Sequence, residues 1–157
     1  MLPEEKIVSL LKNKGLKLAT AESCTGGLLA KRITDIPGSS EIFDMGIVSY
    51  ANRIKHAYLG VPDEVLNTLG AVSKETAEYM SKGACIAADA DIGAATTGIA
   101  GPGGGTETKP VGLVYISVYL RDGDRHITKK LNLSGTREEI RNMTADTVFR
   151  TILDAVE

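Results

Sequence analysis

Apolar residues Ile7, Leu10 and Leu11 recur at helical spacing between Pro3 and Lys14, and Gly15 is placed to end that helix. Residues 16–21 form a short apolar run suited to a buried strand. Beyond Thr25, Leu29, Ile33 and Ile36 return to helical intervals, so this part predicts a strand, a turn at 22–27 and a helix. The loop DIPGSSEIF leads to a second strand, MGIVSYA (45–51), which is expected to end at Asn52 with Arg53 and Lys55 just beyond. Pro62 opens a short helix carrying Val65, Leu66 and Leu69, and Ser73 caps a longer one to about Ala88 with Ala77, Met80 and Ala84 inward. The second half repeats the rhythm. Residues 91–98 predict a small-residue strand running into the glycine-rich loop GIAGPGGGTETKP, and 112–120 a strand buried on both faces. Asp122-Gly123 signals a hairpin to a more exposed strand at 127–133, and Thr136 with Glu139 has the spacing of a capping box for a long final helix. Strands alternating with helices, plus one hairpin, predict a layered α/β fold with a mixed sheet.

Composition narrows the function more by exclusion than by assignment. The 157 residues suffice for one domain with a real core, and a formal net charge of −2 with no basic run gives no general attraction to a phosphate backbone. No nucleic-acid partner is therefore expected. No apolar run approaches a membrane span and the N-terminus places acids before its apolar residues, unlike a secretory signal, so no membrane partner and a cytoplasmic location are expected. Cys24 and Cys85 lack the spacing of a redox or zinc motif and His56 and His126 are scattered, so the chain requires no metal, cofactor or disulfide. A homo-oligomer is expected, with a symmetric dimer the commonest assembly.

Chemistry concentrates in the turn of LATAESCTGGLLAKRI. Gly, Ser and Thr between a strand and a helix leave backbone N–H groups to face negative charge, which suits either a phosphate cradle or an oxyanion hole. The stretch contains neither GxxxxGK[ST] nor GxGxxG, so no nucleotide motif stands behind the first option. Simple capping and turn formation explain the same residues. Ser23, Cys24 and Thr25 compete as nucleophiles; a Cys at a strand end is commonly a small buried hydrophobe, and Ser needs a base. Neither histidine lies where a triad partner is expected. Lys55 leaves the second strand at the edge where, in a parallel sheet, the Ser23 turn also emerges. It becomes a base if burial or the neighbouring Arg53 lowers its pKa; otherwise it is a solvated lysine.

TAESCTGG (20–27), IPGSSEIFDMGIVSYANRIK (36–55), GAVSKETAEYM (70–80), TGIAGPGGGTETKPVG (97–112) and SGTREEIR (134–141) together resemble the CinA C-terminal domain family, in order and over essentially the whole chain. The resemblance implies a single three-layer α/β/α domain over residues 1–157, of the stand-alone, PncC-like type. It implies hydrolysis of the carboxamide of nicotinamide mononucleotide to nicotinic acid mononucleotide and ammonia, in pyridine nucleotide recycling. Ser23 is then the nucleophile, Lys55 the general base, and backbone amides around Thr25, Gly26 and Gly27 the oxyanion donors. Tyr50, at the end of the second strand, bonds Ser23 or Lys55, lines the pyridine pocket, or simply packs. Thr97, Gly98 and Gly101 are expected to approach ribose or phosphate, and Arg137 and Arg141, one helical turn apart, to hold phosphate. Glu22 orients Lys55, meets a substrate hydroxyl, or fixes the turn, and Cys24 is structural. The alternative is a non-catalytic nucleotide-binding or regulatory module of the competence and damage-inducible type.

Overall fold

In the computed structural model, which describes residues 1–157, the capping signals lie where the sequence puts them. Helix α1 (Pro3–Lys14) ends at Gly15, left-handed at φ 67°. Ser73 accepts a hydrogen bond from the Thr76 amide at the start of α5 (Lys74–Ala87), and Thr136 and Glu139 close a reciprocal capping box on α6 (Arg137–Val156). The remaining elements are β1 (Leu18–Glu22), α2 (Leu28–Thr34), β2 (Phe43–Val48), α3 (Asn52–Leu59), α4 (Asp63–Thr68), β3 (Ile92–Gly98), β4 (Leu113–Leu120) and β5 (Arg125–Asn132).

The strands form one mixed sheet in the order β2-β1-β3-β4-β5, parallel across β2-β1-β3 and antiparallel across β3-β4-β5. Alternation along the central strands sends side chains to two apolar layers. Leu18, Ile92, Ala94, Val114, Ile116 and Val118 meet Ile7 and Leu11 of α1, Leu29 and Ile33 of α2, and Val148, Phe149 and Ile152 of α6. On the opposite face Ala19, Ala21, Ala95 and Tyr119 meet Leu59, Leu66, Met80 and Ala84. The small residues let α5 lie close to the sheet: a side chain at Gly93 would run into the Ser81 carbonyl. The result is the α/β/α sandwich with a mixed sheet that the resemblance implies.

Two expectations are corrected. The second strand is Phe43–Val48, shifted toward the N-terminus; Ser49, Tyr50 and Ala51 have left the sheet. Lys55 then lies in a helix, α3, whose inward residues are Lys55 and Leu59. A lysine on the buried face breaks the apolar periodicity that would have announced the helix.

Thr20 on β1 illustrates a local cost. Its hydroxyl is buried with no hydrogen-bond partner and fills the space opposite Gly46, where a Cβ would lie 2.7 Å from it. An orphaned buried hydroxyl costs about 1–3 kcal/mol. Thr20→Val, of the same shape, is expected to raise the melting temperature by about 2–4 °C per kcal/mol recovered, measured by thermal denaturation; an unchanged or lower value would mean that the hydroxyl is satisfied in solution.

Candidate active site

Parallel pairing aligns the C-terminal ends of β1, β2 and β3, with Glu22 opposite both Val48 and Thr96. Chain leaving these ends converges: the 23–27 turn from β1, Ser49 to α3 from β2, and the glycine loop from β3. Ser23 is 9% exposed and Lys55 is 1% exposed, so the two meet at a site nearly closed to water. Lys55 Nζ lies 3.1 Å from Ser23 Oγ, 2.7 Å from the Ser49 carbonyl oxygen and 3.2 Å from that of Tyr50. A neutral amine has two N–H donors and one lone pair. As an ammonium Lys55 donates to all three oxygens, Ser23 Oγ included; once it is neutral, the two carbonyls take its two donors and the lone pair faces the Ser23 hydroxyl. Burial pushes the Lys55 pKa down to about 8; Arg53 lies exposed on α3 and is not the cause.

The turn is fastened from below by Glu22. Its buried carboxylate accepts from the Thr25 hydroxyl at 2.6 Å, from the Leu29 amide at 2.8 Å and from the Ala30 amide at 3.2 Å. Of the three expected roles, fixing the turn is the one its contacts match; it makes no hydrogen bond to Lys55. Thr25 is fully buried, and its hydroxyl also meets Thr96 Oγ1 at 2.8 Å, so it is not directed at Ser23. The Ser23 amide donates to the Thr96 carbonyl at 3.1 Å, and the Gly26 amide donates to the Ser23 carbonyl at 3.1 Å. The Gly26 amide is therefore spent inside the turn, whereas those of Cys24, Thr25 and Gly27 make no hydrogen bond within the chain. Burial raises the Cys24 thiol to about 11, which keeps it protonated near neutral pH.

The other expected residues divide. Tyr50 is 62% exposed on the linker after β2, and its hydroxyl accepts from Arg137 Nη2 at 3.1 Å. Arg137 Nη1 donates to the Gly101 carbonyl at 2.8 Å, tying α6 to the glycine loop beside the dyad. Arg141 Nη2 donates to the Thr25 carbonyl at 2.7 Å. Gly27, at φ 104°, holds a left-handed conformation that starts α2. Thr97 is buried and donates to the Ala71 carbonyl at 2.7 Å, and Gly98 packs so closely on β4 that a Cβ would lie 2.6 Å from Val114. These two shape the strand end from within. Thr96 and the Ser49 carbonyl were not singled out by the sequence; the signal for Thr96 is its register opposite Glu22, which requires knowing that β1 and β3 are neighbours.

A cavity of about 750 Å³ opens beside the turn, lined by Gly26, Gly27, Lys31, Arg32, Arg137 and Arg141 among others. Neither Ser23 nor Lys55 lines it, but Arg137 joins it to the dyad through Tyr50, whose carbonyl receives Lys55. Its lining holds four cations and the carboxylate of Glu138; Lys31 is paired with Asp35 at 2.7 Å, but Arg137 and Arg141 make no ion pair, and these two favour negative charge there. Arg32 is partly committed, bridging Glu4 at 2.9 Å and Asp146 at 2.8 Å. No helix of the chain is long and apolar enough to cross a membrane.

The sequence profile of the CinA C-terminal domain matches residues 2–156. A protein of Caldanaerobacter subterraneus subsp. tengcongensis named for competence-damage induction is 51% identical over 138 residues, which cover 88% of this chain and 33% of that protein. A CinA-like protein of Kosmotoga olearia is 48% identical, covering 98% of this chain and 38% of its own length. The chain thus spans about a third of these curated relatives. Among solved structures, the competence/damage inducible protein CihA of Agrobacterium tumefaciens superposes with a TM-score of 0.95 at 41% identity, over 97% of this chain and 92% of that one. A CinA superfamily protein of Klebsiella pneumoniae superposes with a TM-score of 0.93 at 29% identity, over 98% and 95%.

Proposed function

The chain belongs to the CinA C-terminal domain family, and from that membership together with the buried Ser23–Lys55 pair we propose that it is an amidohydrolase that converts the carboxamide of nicotinamide mononucleotide to nicotinic acid mononucleotide and ammonia. The observation that carries the reading is the Lys55 amine, out of water, with two carbonyls holding its N–H donors and Ser23 Oγ 3.1 Å from it.

Ser23 Oγ attacks the carboxamide carbon while Lys55 takes the hydroxyl proton. The oxyanion is received by turn amides not used within the chain, those of Cys24 and Thr25 being nearest in sequence to the nucleophile, and such donors contribute on the order of 10²-fold or more in rate. Collapse of the intermediate breaks the C–N bond, and the Lys55 ammonium returns its proton to the departing ammonia. Water, deprotonated by Lys55, then attacks the ester, and Ser23 leaves with the proton. The cationic cavity beside Gly26 and Gly27 suits the 5′-phosphate, with Arg137 linking that end of the substrate to Tyr50. Thr25 serves the turn rather than the proton transfer. The domain works in this reading as a single unit in pyridine nucleotide recycling, without a cofactor.

The test is ammonia release from nicotinamide mononucleotide by purified, chelator-treated protein. Release that scales with enzyme and yields nicotinic acid mononucleotide supports the reading. A folded protein whose melting temperature rises with the nucleotide, without ammonia release, is instead a nucleotide-binding module.

A further inference from the structure

Three carbonyls of the 23–27 turn accept hydrogen bonds within the chain, and that of Gly27 receives the Lys31 amide at 2.9 Å in the first turn of α2. The Ser23 carbonyl receives the Gly26 amide, and the Thr25 carbonyl receives both the Leu28 amide at 3.1 Å and Arg141 Nη2 at 2.7 Å. Arg141 reaches this position because residue 26 has no side chain: a Cβ on Gly26 would collide with the Arg141 guanidinium. Gly26 also sits at φ 61°, which disfavours other residues. Below the turn, the Glu22 carboxylate collects the Thr25 hydroxyl and two α2 amides, and Thr96 Oγ1 joins the same hydroxyl. Thr25 is thus gripped twice, by its side chain from the sheet and by its carbonyl from α6.

We propose that Arg141 is a positioning residue for Ser23: with Glu22 it clamps Thr25 from opposite sides, fixing the peptide planes after the nucleophile so that the Cys24 and Thr25 amides remain available to an oxyanion. This rests on the amidohydrolase reading and revises one part of what the resemblance implies, since Arg141 then acts through the turn rather than chiefly as a phosphate ligand. The geometry favours the turn. Arg141 Nη2 is bound to the Thr25 carbonyl and Arg141 Nε is buried without a partner, so of the three guanidinium nitrogens only Nη1 is left for a ligand in the cavity that Arg141 lines. A displacement of the order of 1 Å in a reacting group costs about 10²-fold in rate, so loss of the clamp acts on the chemical step.

The experiment uses two substrates that differ in phosphate. Parent, Arg141→Gln and Arg141→Lys proteins are compared in ammonia release from nicotinamide mononucleotide and in the rate of Ser23 sulfonylation by phenylmethylsulfonyl fluoride, which carries no phosphate; thermal melts identify which variants are folded. The expected result for Arg141→Gln is a fall of about 10²-fold in kcat with KM within a few-fold of the parent, a sulfonylation rate lowered in parallel, and partial recovery of both in Arg141→Lys, which restores a donor. A raised KM with unchanged sulfonylation makes Arg141 a phosphate ligand and overturns the proposal, as do folded variants with parental kcat and sulfonylation. If Arg141→Gln does not fold, Arg141→Lys decides alone, through the same split. A parent that is sulfonylated at Ser23 but releases no ammonia sinks the amidohydrolase reading and leaves the clamp to be judged on sulfonylation.

Discussion

Ser23→Ala is expected to lower kcat for amide hydrolysis by about 10⁴-fold or more, while the nucleotide continues to raise the melting temperature of the variant as it does that of the parent. The size of the loss follows from the lack of a substitute. The Cys24 thiol, raised to about 11 by burial, is almost entirely protonated at neutral pH. The Thr25 hydroxyl is 2.6 Å from a Glu22 oxygen and 2.8 Å from Thr96 Oγ1, fully buried among them. Neither can take over the attack. Alkylation with iodoacetamide is accordingly expected to leave the parent active, which separates serine from thiol chemistry without any substitution. Residual hydrolysis within about tenfold of the parent would mean that water attacks directly, and Ser23 would then be a ligand of Lys55 rather than the nucleophile.

The parts of this site differ in how far they could be read from the chain. Helices α1, α5 and α6 announce themselves because cap residues and apolar spacing agree: Gly15, Ser73 and the Thr136–Glu139 pair each satisfy groups that any helix end leaves open. Helix α3 does not, because a lysine stands where a hydrophobe would complete the pattern. That misfit is itself a signal, since a local rule broken without local compensation tends to mark a working residue. The nearness of Ser23 and Lys55 needed one assumption beyond the pattern, that β1 and β2 are parallel neighbours, and the sheet bears it out. Fixing the turn was one of three roles open to Glu22 in the sequence, and choosing it needs the folded turn, which brings donors from residues 25, 29 and 30 to one carboxylate. Thr96 lay still further off, 73 residues from the Ser23 amide it meets. Spacing along a helix placed Arg137 and Arg141 on one face, and they do line one cavity, but their partners, Tyr50 and Gly101 for one and Thr25 for the other, come from strand ends far away in sequence.

Lys55→Met is expected to abolish ammonia release and, in the same protein, to expose what the lysine costs the fold. In the parent, burial lowers the Lys55 pKa from the usual 10.5 to about 8. Between these values the unfolded chain holds a proton that the folded chain has released, so parental stability gains with rising pH across this window and the penalty for burying the ammonium is present in full below about pH 8. Methionine has no such proton. Other titrating groups are shared by both proteins and cancel in the difference. Stability of Lys55→Met relative to the parent should therefore fall by about 3 kcal/mol as the pH is raised from 7 to 10.5, measured by urea denaturation. The sign at pH 7 depends also on the Ser49 and Tyr50 carbonyls, which lose their donor, but the slope does not. The same pKa governs catalysis, since only the neutral amine accepts the Ser23 proton: parental kcat/KM should rise tenfold per pH unit below about 8 and level off above it. Two unrelated measurements, one of folding and one of turnover, thus bend at a common pH if Lys55 is the base. A rate profile that levels off two units below the onset of the stability slope would assign the base to another group and leave Lys55 as a buried donor to two carbonyls.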